Sequence, residues 1–135
     1  MAYKIDEIEG IGPAYREKLA AAKISTTDQL LEYCGGVKGR KEVAEKTGLS
    51  EKHLLTWANM ADMMRVSGIG PQFAEMLEAS GVDTVKELQH RNAANLAAKM
   101  EEVNKEKNLA NAVPAESVIE GWIEQAKGLT PTISH

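Results

Sequence analysis

Apolar residues along the chain recur at intervals of three and four positions, which is the spacing of one face of an α-helix. Two stretches show this stripe most clearly: Leu54, Trp57, Ala58, Ala61 and Met64, and then Val118, Ile119, Trp122 and Ile123. The alternation of apolar and polar positions that is typical of a half-buried strand is nearly absent. The pattern therefore predicts an all-α fold. It favours a core position over a docking groove for both tryptophans and for Met60, Met63 and Met64.

The same order of glycines and apolar residues occurs twice, with an offset of 58 residues (68 − 10 = 58). Residues 8–13 read IEGIGP and residues 66–71 read VSGIGP, and the 24 aligned positions that start there contain nine identities. Each copy continues with an aromatic residue, a leucine, an isoleucine or valine, a threonine and a second leucine. The repeat predicts helix, tight glycine turn, helix, turn and helix in each copy.

Local signals indicate where these helices begin and end. Pro13 and Pro71 fit the first position of a helix, where a missing N–H costs nothing. Gly81 suits a left-handed residue at a helix end, whereas Lys23, at the same place in the first copy, carries a Cβ atom that conflicts with that conformation. The next helix of each copy is expected to start at a capping box, formed by Thr26 with Gln29 and by Thr84 with Glu87.

The segments between the repeated parts are less regular. Residues 34–39, CGGVKG, are expected to form a mobile glycine-rich loop, followed by a short helix over 40–47 and a long one capped by Ser50. In the second copy we expect a short helix over 93–103, a polar connector over 104–113, and a last helix opened by Pro114 and ended by Gly128.

The predicted organisation is two related helical repeats, packed about a pseudo-two-fold axis into one compact domain. The first repeat covers residues 1–57 with a hairpin at 8–24, and the second covers 58–128 with a hairpin at 66–82. Residues 129–135, which include Pro131, are expected to be a flexible tail.

Composition limits the classes of function. The hydrophobic fraction of 43% and the charged fraction of 27% are ordinary for a globular protein, and the net charge of −4 counts against a general polyanion binder. Residues 1–57 carry nine basic and nine acidic side chains, and residues 58–135 carry seven and eleven. The single cysteine, the charged N-terminal residues and the lack of a membrane-length apolar run predict a soluble cytoplasmic protein.

The pattern hydrophobic-x-Gly-hydrophobic-Gly between two helices resembles the helix-hairpin-helix unit of DNA repair and recombination proteins. In such a unit the amides that begin the second helix, here those of Ala14 and Tyr15, are free to hold a phosphate. The resemblance also implies that carbonyls of the turn can hold a monovalent cation; no other cofactor and no metal site is expected.

A wider resemblance covers nearly the whole chain. Residues 8–31, 39–51, 82–109 and 118–127 resemble a bacterial family of small two-hairpin proteins that is catalogued only as a domain of unknown function. This resemblance implies the fold and implies no activity.

Charge placement favours the first turn as the site of contact. The helix after the second turn carries Glu75 and Glu78, and there is no lysine or arginine from residue 68 to residue 84. The second turn, Gly68, Ile69 and Gly70, is therefore predicted to be structural. The predicted nucleic-acid-binding residues are Gly10, Ile11, Gly12, Ala14, Tyr15, Arg16, Lys18, Lys38, Arg40 and Lys41.

The predicted function is non-enzymatic, sequence-independent binding of DNA through the first turn. The alternative is a protein-interaction adaptor with the same fold, which the acidic second half favours. No catalytic residues are predicted, because His53, His90 and His135 are widely spaced and Cys34 has no histidine nearby in sequence. The two alternatives are distinguished by one structural feature. The DNA-binding alternative predicts that the basic side chains of Arg16, Lys18, Lys38, Arg40 and Lys41 converge beside residues 10–12.

Overall fold

The computed structural model describes residues 3–134, and within that range it contains eight α-helices and no β-strand. The prediction of an all-α fold is confirmed. A 3-10 turn at Ile5–Glu7 comes first, so the helix expected before the first glycine turn is only one turn long. The helices are α1 (Pro13–Ala21), α2 (Thr27–Cys34), α3 (Val37–Thr47), α4 (Glu51–Met63), α5 (Pro71–Ala79), α6 (Val85–Leu88), α7 (Ala93–Lys107) and α8 (Glu116–Lys127).

The ends of the helices inside the repeated parts agree with the local signals. Pro13 and Pro71 are the first residues of α1 and α5. Lys23 and Gly81 both have left-handed backbone, with φ of 68° and 91°, so the lysine bears the strain that a glycine avoids. The threonine before each of α2 and α6 accepts a hydrogen bond from the backbone amide three residues later. The distance is 3.2 Å from the Gln29 amide to Thr26 and 3.3 Å from the Glu87 amide to Thr84.

Residues 34–39 do not form the expected mobile loop. Helix α2 includes Cys34 and α3 begins at Val37, so only Gly35 and Gly36 lie between the two helices. A Cβ atom on Gly35 would lie 2.5 Å from the Thr132 carbonyl oxygen. The glycines of this segment therefore permit close backbone packing, and they do not indicate mobility.

The polar connector expected over residues 104–113 begins four residues later than predicted. Helix α7 continues to Lys107 and ends at Asn108, which is left-handed with φ of 50°. The Asn104 side chain accepts from the Ala110 amide (3.0 Å) and donates to the Ala110 carbonyl (3.1 Å). Asn104 is thus a helical residue whose amide group holds the following loop. Pro114 precedes α8 by two residues, since α8 begins at Glu116.

The expected flexible tail is instead attached to the rest of the chain over residues 130–134. Arg65 donates to the Thr130 carbonyl (2.8 Å), and the Ser134 amide donates to the Gly35 carbonyl (2.8 Å). These bonds satisfy backbone groups that would otherwise face water, which is the reason for the difference from the prediction. His135 lies outside the described residues, as do the first two residues of the expected first repeat.

The buried apolar residues of both copies form one continuous core, from Ile5 to Ala126. Both tryptophans, Met60 and Met63 of α4, and Met64 directly after that helix belong to it, which confirms that they are core residues. The boundary predicted between residues 57 and 58 falls inside α4, so this helix belongs to the core of both halves. None of the described helices is long and apolar enough to cross a membrane.

Candidate functional site

Two glycine turns of nearly equal backbone geometry precede α1 and α5. We refer to residues 8–13 as the first turn and residues 66–71 as the second turn. Gly10 and Gly68 are left-handed, with φ of 94° and 96°, and each is followed by a buried isoleucine, Ile11 or Ile69. The later glycine of each pair, Gly12 or Gly70, is extended, with φ of −88° and −91°, and caps the helix. Only the earlier glycine is therefore required by backbone conformation.

An indole ring packs behind each turn. A Cβ atom on Gly10 would lie 3.5 Å from Trp57 Nε1, and one on Gly68 would lie only 2.9 Å from Trp122 Nε1. No atom lies within 4 Å of a Cβ built on Gly12 or Gly70. A tryptophan ring thus packs against the earlier glycine of each turn, whereas no side chain packs against the later glycine.

The amides that begin α1 are available to a ligand. Pro13 has no N–H, and the Arg16 amide donates to the Gly12 carbonyl (2.9 Å). Within residues 3–134 the amides of Ala14 and Tyr15 have no acceptor. Unpaired amides at a helix N-terminus can hold an anion, because the partial charges of the helix add to the hydrogen bonds.

The helices that follow the two turns differ in how much of each is covered. Leu19 is the only fully buried residue of α1, whereas α5 packs against both α4 and α7. Arg16 and Lys18 are exposed, and the residues that correspond to them in α5 are the buried Ala74 and Met76. The outer face of α1 is therefore open to solvent and carries Arg16 and Lys18 together with Glu17.

The second turn lies in acidic surroundings. A groove of about 680 Å³ beside it is lined by Glu7 and Glu9 together with Gly70 and Phe73. The pKa of the Glu75 carboxyl is raised by burial and, next, by the neighbouring Glu9 carboxylate. Glu9 itself belongs to the first turn, and its charge also reaches Glu75 of α5. A phosphate at the start of α5 would meet these carboxylates.

The second turn is also tied to α8. The Ser67 amide donates to Gln125 Oε1 (3.1 Å), and Gln125 Nε2 donates to the Ser67 carbonyl (3.3 Å). When α4 and α8 are aligned on Trp57 and Trp122, the counterpart of Gln125 is Met60, which has no side-chain amide. Glu9, the counterpart of Ser67, therefore has no equivalent clamp.

Arg40 is not at the surface, and its predicted contact with phosphate is wrong. Arg40 is only 4% exposed, and its guanidinium donates to the carbonyls of Cys34 (3.0 Å), Gly35 (2.9 Å) and Ser134. The first two carbonyls are at the end of α2, where backbone acceptors have no partner within the helix. Arg40 thus joins the end of α2 to residue 134.

The other predicted basic residues are exposed. Arg16 pairs with Asp6 (3.2 Å) on one side of α1. Lys38 and Lys41 lie in the first turns of α3. Because Arg40 is buried, the five predicted basic side chains do not all converge on one exposed face.

Lys18 is exposed on α1, and two further lysines, Lys23 and Lys46, lie beside the end of that helix. Lys18 lies on the same row of α1 as Tyr15, three residues earlier, and Ala22, four residues later. Ala22 lines a hollow with Lys23 and Lys46, and Glu42 also lines it. We call Lys18, Lys23 and Lys46 the lysine strip. None of the ion pairs found within residues 3–134 includes any of the three. Sequence reasoning missed Lys46 because its position depends on the direction of α3.

Aromatic rings lie next to the first turn. The His53 ring stacks on Trp57 at 5.6 Å between centroids and an interplanar angle of 14°. The Tyr15 ring is tilted against both, at 5.2 Å from Trp57 and 6.1 Å from His53. Sequence reasoning treated His53 only as an isolated histidine. The available signal was its place four residues before Trp57, on the same face of α4.

Other candidate chemistry is limited among residues 3–134. Burial raises the pKa of the Cys34 thiol to about 11, although the nearby Arg40 lowers it, so this thiol is protonated at neutral pH. No group of three or more His, Cys, Asp or Glu side chains in that range could hold a metal ion.

Comparison with known proteins places the chain in a family. No curated protein and no solved structure matches it. A family model described as a domain of unknown function, DUF4332, matches residues 9–129, which include residues 9–13 of the first turn, the whole second turn and helices α1 to α8. The chain therefore belongs to the DUF4332 family of domains of unknown function.

Proposed function

We propose that the protein binds DNA without sequence preference and holds a backbone phosphate at the first turn. The observation that carries this proposal is the pair of unpaired amides at Ala14 and Tyr15, on a helix whose exposed Lys18 forms no ion pair within residues 3–134. The second turn has the same backbone and faces Glu7 and Glu9. The resemblance of the turns to helix-hairpin-helix units supports the same ligand.

Gly12 is compatible with this proposal, although Gly70 in the second turn has the same geometry. The backbone of Gly12 is extended, which any residue adopts, and a Cβ atom there would meet no other atom within 4 Å. Neither conformation nor internal packing therefore requires a glycine. A glycine at this position leaves the amides of α1 accessible to a phosphate at close range.

Lys23 supports a role for the lysine strip. It is held in left-handed backbone at a helix end, where its counterpart is Gly81. A strained non-glycine residue is a reason to look for a function of its side chain. We infer that the contribution of the Lys23 charge to phosphate binding is the reason why a lysine is retained here, despite a strain of about 1 kcal/mol.

The number of contacts sets the expected salt dependence. Helix α1 is nine residues and roughly 13 Å long, so the amides and the lysine strip can engage about two or three phosphates. Each neutralised phosphate contributes roughly −0.9 to the slope of log affinity against log salt on duplex DNA. The expected slope is therefore about −2 to −3, which corresponds to weak binding.

The test is a salt titration of binding to a labelled duplex by fluorescence anisotropy, between about 20 and 200 mM salt. The variant Lys18→Glu/Lys23→Glu/Lys46→Glu should lose binding. The control Lys38→Glu/Lys41→Glu/Lys99→Glu changes net charge equally with exposed lysines outside the strip and should retain most of it. Equal loss in both triple variants, or no salt-sensitive binding by the wild-type protein, contradicts the proposal.

A second candidate function is docking of a partner protein, and the groove beside the second turn favours it. Glu7 and Glu9 give this groove negative charge, and Tyr3 and Phe73 give it aromatic surface. These features suit a partner segment that carries lysine or arginine. If the protein binds no DNA, Glu9→Lys should then weaken capture of a Lys-rich test peptide, whereas Glu17→Lys on α1 should not.

A further inference from the structure

We infer that the first turn prefers nucleic acid with an unpaired base, which stacks on the His53 ring while its phosphate lies on the amides of α1. This inference rests on the proposed function and specifies its substrate class. His53 is exposed in the first helical turn of α4, whereas Trp57, on which it stacks, is only 4% exposed. The buried indole therefore holds an exposed, flat imidazole in place.

The second copy shows that packing behind a turn does not require this ring. There Phe73 and Trp122 alone make the aromatic contact, at 5.5 Å. The position in α8 that corresponds to His53 is Val118, which is 46% exposed. Of the two turns, the first is therefore the one that has a stacked imidazole beside it.

Phosphate and base would be recognised within the reach of one nucleotide. Tyr15 contributes an unpaired backbone amide to the phosphate site, and its ring contacts His53 and Trp57. Trp57 in turn lies behind Gly10 of the first turn. Flat side chains next to a phosphate site are the arrangement by which proteins hold single strands without reading their sequence.

Base pairing decides which nucleic acids can use this surface. Inside a duplex each base is stacked on its neighbours and paired, so its face is not available to a side chain. A single strand, a gap or a frayed end exposes that face. Duplex DNA would bind through phosphates alone, and single strands would bind through phosphates and stacking.

The experiment compares three labelled probes in the same low-salt buffer: a thymidine oligonucleotide, an abasic oligonucleotide with the same number of phosphates, and a blunt duplex. The wild-type protein should bind the thymidine strand roughly tenfold more tightly than the abasic strand, from the stacking of one base. His53→Ala should remove this difference and leave duplex binding unchanged. His53→Phe should restore it, because a flat ring remains, and the control His90→Ala should have no effect.

Each outcome has a separate meaning. Equal affinity for the thymidine and abasic strands, with salt-sensitive binding still present, overturns the stacking site and leaves the proposed function in place. Failure of His53→Phe to restore the preference also overturns it, since the imidazole would then act by hydrogen bonding or charge. Absence of binding to all three probes removes the proposed function and this inference together.

Discussion

The first and second turns differ most in what surrounds the helix that each of them opens. Helix α1 has one fully buried residue and exposed basic side chains, whereas α5 is covered by α4 and α7 and has carboxylates around its start. The backbones of the two turns are nearly the same. Under the proposed function, the backbone of such a turn provides amides that can hold an anion, and the neighbouring helices determine whether an anion can reach them.

The two turns also differ in how tightly the chain holds them. Trp122 and the side-chain amide of Gln125 both contact the second turn, whereas Trp57 alone packs behind the first. The additional hydrogen bonds from Gln125 leave the second turn less freedom to adapt to a ligand. Four pairs of matched substitutions test this comparison.

The largest effect is expected in the core beneath the two turns. Leu19 and Leu77 are fully buried at equivalent positions of α1 and α5. Leu19→Ala and Leu77→Ala should each lower the free energy of unfolding by roughly 2 to 5 kcal/mol, measured by denaturant titration. Because one continuous core joins both copies, each variant should unfold in one transition. Two separate transitions would show that the halves are independent.

Substitution of the left-handed glycines should separate the two turns. Gly10→Ala should cost about 1 to 2 kcal/mol from its positive φ. Gly68→Ala should cost roughly 1 kcal/mol more, because the new Cβ atom would lie 2.9 Å from Trp122 Nε1 and force the indole to move. As a control, Gly121→Ala on the open face of α8 should be neutral or stabilising in thermal melts. Equal losses at both turns would show that Trp122 moves freely.

The open glycines test accessibility without a change of charge. Gly12→Val and Gly70→Val place the same side chain in open space at equivalent helix caps, so both variants should lose similar stability. Only Gly12→Val should weaken duplex binding, by roughly tenfold, since one charge-assisted hydrogen bond is worth about 1.5 kcal/mol. Equal affinity of the two variants in the anisotropy titration would argue against a phosphate at the first turn.

The smallest effect concerns the pH dependence of the acidic end of α5. Since the pKa of Glu75 is raised in the fold, its contribution to stability is present below its ordinary value of 4.5 and is lost as pH rises through the raised value. Glu75→Gln should therefore raise Tm slightly at neutral pH, and the gain should disappear in acid. Glu17→Gln, at the same position of α1, is the control. A gain that persists unchanged below pH 4.5 would contradict an electrostatic cause.

Local signals made parts of the fold predictable. The proline at the start of α1, the threonine caps of α2 and α6 and the left-handed residue at position 23 each depend on contacts within a few residues. The two glycine turns were predictable for the same reason, because a repeated pattern of glycine and isoleucine determines a short stretch of backbone.

The surroundings of the site were not predictable in this way, because they depend on contacts between distant residues. Arg40 reads as a basic surface residue in a lysine-rich segment, and its burial comes from carbonyls that include that of Ser134, 94 residues away. Lys46 joins Lys23 only through the packing of α3 against α1. The stacking of His53 depends similarly on where the start of α4 meets Tyr15.

The indole rings behind the turns are also fluorophores. The chain contains two tryptophans, and each of them lies against one turn glycine. In a Trp122→Phe variant, all tryptophan emission would come from Trp57 and would report on the first turn alone. In Trp57→Phe, the emission would report on the second. The protein thus carries an intrinsic fluorophore at each turn, so that events at the two turns can be observed separately without an attached label.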